Sequence, residues 1–126
     1  MKDYKNYYIL KSSPEMVYKA LTNPLTIQLW SGEESEMKEE VGFEFSMFEG
    51  NIQGKILELE EGKKIVQQWY FGEQEKESIV SFKLHPKGNY TSLELRHTNI
   101  PDEDFDDIVD GWNDMYMERL IEFYDE

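Results

Sequence analysis

Residues 102–124 read DEDFDDIVDGWNDMYMERLIEFY and carry a strong periodic pattern. Apolar residues recur there every three or four positions, which is the spacing of one face of an α-helix. They are Phe105, Ile108, Val109, Trp112, Met115, Tyr116, Leu120 and Phe123. Carboxylates fill the first turn at Asp102, Glu103 and Asp104, where the exposed amides of a helix start favour negative charge. The pattern predicts one long amphipathic helix at the end of the chain.

The residues before this helix show the two-residue periodicity of strands. Phe43, Phe45 and Met47 alternate with polar residues, so one face of their strand is expected to be buried. Further strands are predicted at residues 4–10, 52–60, 64–71, 77–84 and 90–98, bounded by turn residues. The turns are predicted at Gly50-Asn51, at Glu61-Gly62 and over residues 86–89. Such short connections predict an antiparallel meander.

Two short helices are predicted between the first strand and the rest of the sheet. Ser12 is the expected cap of the first helix, with Pro14 in the first turn and Glu15 placed to bond back to Ser12. Its apolar face is expected to hold Met16, Val17, Ala20 and Leu21. Asn23-Pro24 ends this helix, because the residue before a proline avoids the α region. The second helix is expected to run to about Trp30.

The order of these elements predicts an α+β fold. A curved antiparallel sheet of six to seven strands is expected to wrap around the long C-terminal helix in a helix-grip arrangement. The 126 residues suit a single domain over residues 1–126. No repeat and no linker rich in Pro, Gly or Ser divides the chain.

Composition and charge exclude several classes of function. The chain has no cysteine, which excludes disulfides, thiolate metal sites and cysteine nucleophiles. Its formal net charge of -14 makes nucleic acids and membrane surfaces poor partners, since attraction to either depends on Lys and Arg. Residues 99–126 contain eleven acidic side chains against the single cation Arg119. The last helix is therefore expected to present an acidic ridge.

Motifs for cofactors and metals are missing from the sequence. There is no phosphate-binding glycine loop, zinc spacing or nucleotide fingerprint. The acidic run at residues 102–107 does not fit a calcium-binding EF-hand, which needs Gly at the sixth position and Glu at the twelfth, where this chain has Asp107 and Asn113. No cofactor and no metal are therefore expected. The first residues also lack the apolar run of a signal peptide, which predicts a cytoplasmic protein.

Several local motifs follow one another in an order that is informative as a set. They are Ser13-Pro14-Glu15-Met16-Val17-Tyr18, Leu21-Thr22-Asn23-Pro24 with Trp30, Gly54-Lys55-Ile56-Leu57-Glu58, Ile65-Val66-Gln67-Gln68-Trp69, Leu93-Glu94-Leu95-Arg96-His97-Thr98 and Gly111-Trp112. Over nearly the whole chain this order resembles the START-like (SRPBCC) superfamily, and within it the C-terminal domain of the activator of the 90-kilodalton heat-shock protein ATPase. The chain differs at Val41-Gly42-Phe43, where that family often has paired glycines, and at Ser31-Gly32, where it has a bulkier aromatic cluster. The resemblance implies a helix-grip fold, and it suggests contact with a chaperone.

The candidate cavity-lining residues lie on the strands and on the last helix. They are Trp30, Trp69, Phe82, Leu95, His97, Trp112, Tyr116 and Arg119. Aromatic walls above a helical floor are typical of ligand sites, and ordinary core packing explains the same residues.

Three further side chains have two interpretations each. Alternation places His97 on the face toward the helix, where it can bond a ligand carbonyl or hydroxyl or a protein group, whereas His85 is expected at the surface. Arg119 can anchor a ligand carboxylate at the cavity mouth, or it can pair with Glu122 or Asp114. Met117 and Ile121 lie off the main stripe. They form either an exposed apolar patch or part of a wider buried stripe.

These features favour non-enzymatic binding of a small hydrophobic or amphipathic ligand between the sheet and the last helix. The alternative is a chaperone-associated protein-interaction domain, in which the acidic ridge contacts a basic surface. A polyketide cyclase-like enzyme is a third possibility, disfavoured because two histidines on opposite faces cannot form a catalytic dyad. A monomer or a weak homodimer is expected.

Overall fold

The computed structural model of the protein describes residues 1–72, 74 and 76–125. Six strands run over β1 Lys2–Leu10, β2 Glu44–Met47, β3 Ile52–Glu60, β4 Lys64–Trp69, β5 Ser78–Lys87 and β6 Tyr90–Ile100. Helices α1 Pro14–Thr22 and α2 Pro24–Ser31 follow β1. The C-terminal helix consists of a 3₁₀ turn at Asp102–Asp104, α3 Phe105–Gly111, a π segment Trp112–Met117 and α4 Glu118–Phe123. The predicted α+β architecture is confirmed.

The strands form one antiparallel sheet in the order β1-β6-β5-β4-β3-β2. The register between β3 and β4 shifts between Ile56 and Glu58, and that between β1 and β6 shifts between Lys2 and Tyr4. Irregularities of this kind bend a strand and increase its twist. The sheet therefore has a concave side, and its inward residues pack with α1, α2 and the C-terminal helix in one core.

The first helix is capped one residue later than the sequence pattern predicts. Ser13, not Ser12, is the N-cap, and its Oγ accepts a hydrogen bond from the amide of Met16 at 3.3 Å. Ser12 instead offers its carbonyl to the Thr91 hydroxyl at 2.7 Å. The side chain of Met16 is exposed, so the prediction that it belongs to the buried face is wrong. Asn23 ends α1 and caps α2, since its Oδ1 accepts from the amide of Thr26 at 3.0 Å.

The observed ends of β4 and β5 differ from the predicted ends. Strand β4 stops at Trp69, and β5 continues through Pro86-Lys87, which the sequence pattern assigns to a turn. Pro86 is tolerated because β4 pairs with β5 only as far as Lys83, so that side of β5 needs no further amide donor. The remaining turn is the two-residue pair Gly88-Asn89. The predicted strand 77–84 begins one residue later than expected, at Ser78.

The π segment changes which methionine of the C-terminal helix is buried. A regular helix advances roughly 100° per residue, which places Met115 on the same face as Trp112 and Met117 away from it. The wider i→i+5 turns of a π segment advance less per residue, so the positions after Trp112 shift around the axis. Met117 is accordingly fully buried and Met115 is 41% exposed. The wider buried stripe is the correct alternative for Met117, and Ile121 is partly buried against the core.

None of the described helices is long and apolar enough to cross a membrane. The C-terminal helix meets the sheet at the turn between β2 and β3 and at the adjoining ends of β3 and β4. These elements border a cavity.

Candidate functional site

A cavity of about 190 Å³ lies between the C-terminal helix and the sheet, where the β2–β3 turn meets the ends of β3 and β4. Its wall consists of Phe48, Asn51, Ile52, Trp69, Asp107, Ile108, Gly111, Trp112, Met115 and Tyr116. Most of these side chains are apolar, and four of them are aromatic. Asn51 and Asp107 supply the polar side chains of the wall.

Two stacked indoles form the inner wall of the cavity. The rings of Trp69 and Trp112 lie 4.7 Å apart at an interplanar angle of 24°, and Tyr116 is 4.7 Å from Trp112. Trp69 Nε1 donates to Gln67 Oε1 at 2.9 Å, which fixes the orientation of that buried amide. Gln67 Nε2 has no hydrogen-bond partner among the described residues. Trp69 is thus held by both the helix and its own strand.

The turn between β2 and β3 closes the cavity with a buried ring. Phe48, Glu49 and Gly50 have successive φ values of 52°, 57° and 86°. A non-glycine residue in this region costs roughly 1–3 kcal/mol, so the two leading residues are strained. The phenyl ring of Phe48 packs 6.1 Å from Tyr116 and 6.2 Å from Trp30. Burial of this ring offsets the strain and fixes the turn against the helix.

A glycine forms part of the helical wall. Gly111 has a helical φ of -62°, and a Cβ placed on it would meet no atom within 4 Å. Glycine inside a helix costs roughly 0.5–1 kcal/mol relative to alanine. The π segment begins at the next residue, and π turns are frequent at functional sites. The helix is therefore weakened where it borders the cavity, and the missing side chain leaves space open.

His97 lies behind the cavity, and its bonds are made within the protein. Trp112 Nε1 donates to His97 Nδ1 at 3.1 Å, which assigns the proton of the neutral ring to Nε2. Nε2 then donates to Ser78 Oγ at 2.7 Å, and that hydroxyl donates to the carbonyl of Thr98 at 3.2 Å. Burial lowers the pKa of His97 to about 3. The interpretation as a histidine satisfied by protein groups is the one that the geometry supports.

The side chain of Arg119 binds protein groups at the end of α2. Its Nη1 donates to the carbonyl of Ser31 at 2.7 Å and lies 3.5 Å from a carboxylate oxygen of Glu33. A cation on the last carbonyls of a helix satisfies an acceptor and complements the helix dipole. Arg119 is not part of the cavity wall, and neither Glu122 nor Asp114 is its partner. The predicted partners Glu122 and Asp114 are thus replaced by Ser31 and Glu33, and ligand anchoring by Arg119 stays a prediction.

The predicted cavity-lining set divides into two layers. Trp69, Trp112 and Tyr116 reach the cavity. Trp30, Phe82, Leu95, His97 and Arg119 do not line it. The indole of Trp30 donates to the carbonyl of Ala20 at 2.7 Å, and Phe82 supports Trp112 and Tyr116 from the sheet side. Ligand contact by the first layer stays a prediction.

Sequence reasoning missed the wall residues on the turn and on the early turns of the last helix. They are Phe48, Asn51, Ile52, Asp107, Ile108, Gly111 and Met115. One signal was available for Phe48, because it follows Met47 and so breaks the alternation of apolar and polar residues. No comparable signal marks Asp107, which is one carboxylate among many on the acidic ridge. His85 is at the surface as predicted, with Nε2 3.1 Å from Glu94.

The described residues do not form a metal-binding cluster. No three side chains of His, Asp or Glu are grouped there in a way that could hold a metal ion. Within the same part of the chain, the cavity wall contains no Lys, Arg or His. Its charged side chain is Asp107. The site is thus an aromatic cavity with a negative rim.

Comparison with known proteins gives a consistent family match. A family model described as activator of Hsp90 ATPase homolog 1-like protein matches residues 11–124. An activator of 90 kDa heat shock protein ATPase homolog of Dictyostelium discoideum is 30% identical over 111 residues, covering 86% of this chain and 29% of that protein. Homolog 1 of Homo sapiens is 26% identical, covering 86% of this chain and 33% of that protein. The chain thus spans about a third of the length of these relatives.

Solved structures show the same fold. An HSP90 activator from Plasmodium falciparum superposes with a TM-score of 0.87 at 27% sequence identity, covering 95% of this chain and 94% of that one. An Aha1 protein from Colwellia psychrerythraea, described as a dimer, has a TM-score of 0.80 at 23% identity, with coverage of 99% and 95%. The second likeness concerns the fold alone.

Proposed function

The chain belongs to the family of activator of Hsp90 ATPase homolog 1-like proteins, and within that family we propose that it is a non-enzymatic module that binds a small hydrophobic or amphipathic ligand. The observation that carries this proposal is the aromatic-walled cavity of about 190 Å³ beside Gly111. Ligand sites are typically apolar concavities with a few polar groups. An engineered apolar cavity of about 150 Å³ binds benzene. The expected ligand therefore has one aromatic ring, or an aliphatic body of similar size.

The proton-transfer groups near the cavity favour binding over catalysis. Both ring nitrogens of His97 are engaged by Trp112 and Ser78, and its low pKa keeps it neutral. Burial raises the pKa of the Tyr116 hydroxyl, so this phenol stays protonated at neutral pH and is a poor proton donor. Asp107 is the other titratable group of the wall. A cyclase-like reaction is disfavoured because a lone exposed carboxylate has no partner in proton transfer.

Titration with toluene, followed by amide NMR shifts, tests the proposal directly. We expect saturable shifts confined to residues 48–52 and 107–116, with no effect at the His85 end of the sheet. Gly111→Leu should abolish them, because its side chain enters the open space at that position. Asp110→Leu is the matched control, since it places the same side chain on the exposed face of the same helix.

Two results would overturn the proposal. One is the absence of saturable shifts in the unmodified protein at the solubility limit of toluene. The other is equal binding by Gly111→Leu, which would place the site elsewhere. A thermal melt of each variant separates loss of the cavity from loss of the fold.

The acidic face of the C-terminal helix supports a second candidate, contact with a basic surface of a chaperone. Exposed carboxylates run along the helix at Asp106, Asp110, Asp114, Glu118 and Glu122. The curated relatives are named as activators of a heat-shock ATPase, although this chain spans only about a third of their length. An interaction of this type must weaken with salt, because exposed charges are screened beyond about 8 Å at physiological ionic strength.

Pull-down of a 90-kilodalton-class chaperone at low and high salt tests this candidate. Salt-sensitive capture with an increased ATPase rate supports activation. Capture without a change in the ATPase rate would exclude activation of the chaperone but would still support binding to it. Asp110→Lys with Glu118→Lys should reduce capture more than Lys5→Glu with Lys55→Glu, which alters charge on the sheet. Cytoplasmic location and oligomeric state stay predictions.

A further inference from the structure

We infer that the cavity selects organic cations, namely small amines or ammonium compounds with an aromatic or branched alkyl body, and rejects carboxylates of the same shape. This inference rests on the proposed ligand-binding function and names the ligand class. It depends on the aromatic faces of the wall, on the charge at the rim, and on the location of the nearby cation Arg119.

The wall of the cavity is rich in aromatic rings. Phe48, Trp69, Trp112 and Tyr116 contribute four rings to one cavity. The faces of such rings attract cations, Trp most strongly, and cages of this composition recognise ammonium groups. One of these rings already binds a cation, because the guanidinium carbon of Arg119 lies 5.7 Å from the Phe48 centroid. Trp69 and Trp112 cover one face of each other by stacking, so the rest of these two indoles and Tyr116 are the aromatic surfaces left to a ligand.

The rim carries a carboxylate that complements a cationic ligand. Asp107 lines the cavity and is exposed, and no ion pair engages it among the described residues. Asp106, Asp110 and Asp114 lie on the same helix and add to the negative potential. Summed charges of one sign around a cleft raise the local concentration of the opposite ion. A ligand ammonium gains from this field, and a ligand carboxylate is repelled.

No cation of the described wall is available to hold an anionic ligand. Arg119 is the only basic residue in 99–126, and it is bound to the Ser31 carbonyl and Glu33. Releasing it would leave an acceptor at the end of α2 without its partner. Arg119 also does not line the cavity, so an anionic ligand there would contact no cation of the described wall.

Three ligands with the same body and different charge test the inference: 2-phenylethylamine, 2-phenylethanol and 3-phenylpropionate. Their affinities can be measured by tryptophan fluorescence and checked by amide NMR, because Trp69 and Trp112 border the cavity. At low salt we expect the amine to bind roughly tenfold more tightly than the carboxylate, with the alcohol between them. The difference should shrink at high salt, while the affinity of the alcohol stays unchanged.

Two variants with equal change in net charge locate the effect. Asp107→Asn should weaken amine binding roughly threefold to fivefold, the range of an exposed ion pair, and leave the alcohol unaffected. Asp106→Asn removes a charge from the neighbouring position, which is exposed and does not line the cavity. It should change amine affinity much less.

The outcomes separate this inference from the function on which it rests. Equal affinity for amine and carboxylate, or equal effects of the two Asp variants, would overturn cation selection and leave ligand binding in place. Failure of all three compounds to bind would overturn both. Binding of the amine that survives in Gly111→Leu would also reject the inference, since the site would then lie outside the cavity.

Discussion

Two regions of the interface between sheet and C-terminal helix pack in different ways. Around His97, each polar atom of the bonded chain has a partner, from the Trp112 indole through the imidazole and Ser78 to the Thr98 carbonyl. Around Gly111, the residue before Trp112 on the C-terminal helix, space is left open beside a strained turn and a π segment. The first region fixes the helix on the sheet. The second leaves a volume unfilled, although Trp30 and Phe82 pack against the rings of its wall from behind.

The largest expected effect concerns Gly54, which lies opposite Trp69 and Phe45 in the sheet. A Cβ at this position would overlap the carbonyl oxygen of Gln68 and lie 2.8 Å from Phe45 Cζ. Because a strand backbone cannot move away freely, Gly54→Ala should lower the free energy of unfolding by about 3 kcal/mol. Urea denaturation measures this value. A change below about 1 kcal/mol would show that β3 and β4 can separate and that the cavity wall is not rigid.

The next effect is a pH dependence of the free energy of unfolding, and it comes from the region around His97. The folded pKa of His97 is about 3 and the ordinary value is 6.5, so below pH 6.5 the unfolded chain binds a proton that the folded chain does not. Stability contributed by the neutral ring is complete above pH 6.5 and declines toward pH 3. By pH 5 the loss from this group should be about 2 kcal/mol.

His97→Gln is the matched variant for that measurement. The Gln amide oxygen can accept from Trp112 and its nitrogen can donate to Ser78, without a titrating group. The difference in unfolding free energy between the two proteins should therefore change with pH between 6.5 and 5, and the variant should lack this part of the slope. Parallel pH curves would contradict a neutral buried imidazole.

The smallest effect concerns Gly111 and has the opposite sign to that of Gly54. Gly111→Ala should raise the free energy of unfolding by about 0.5–1 kcal/mol, because alanine restricts the unfolded chain and its Cβ meets no atom in the folded protein. The same change should weaken ligand binding, since its methyl group narrows the cavity. Thermal unfolding and the toluene titration measure the two effects. Destabilisation by alanine would indicate that the volume beside Gly111 is not free.

Residue patterns predicted the elements well and the site only in part. Alternation placed His97 inward and His85 outward, and helical spacing placed Trp112 and Tyr116 against the sheet, as the structure confirms. The same spacing misplaced Met115 and did not decide between the two alternatives for Met117, because a π segment has no recognised signature in a single sequence. The sequence pattern also placed the cap of the first helix at Ser12, one residue before the observed cap Ser13.

The order of strands and helices follows from the sequence alone, because hydrophobic periodicity and turn chemistry are local properties of the chain. The partner of Arg119, the tautomer of His97 and the open space at Gly111 follow only from the tertiary structure. Each of them depends on atoms distant in sequence, such as the Ser31 carbonyl, the Ser78 hydroxyl and the ring of Phe48. Local patterns determine which face of an element is buried, whereas the packing of several elements determines whether that burial is complete.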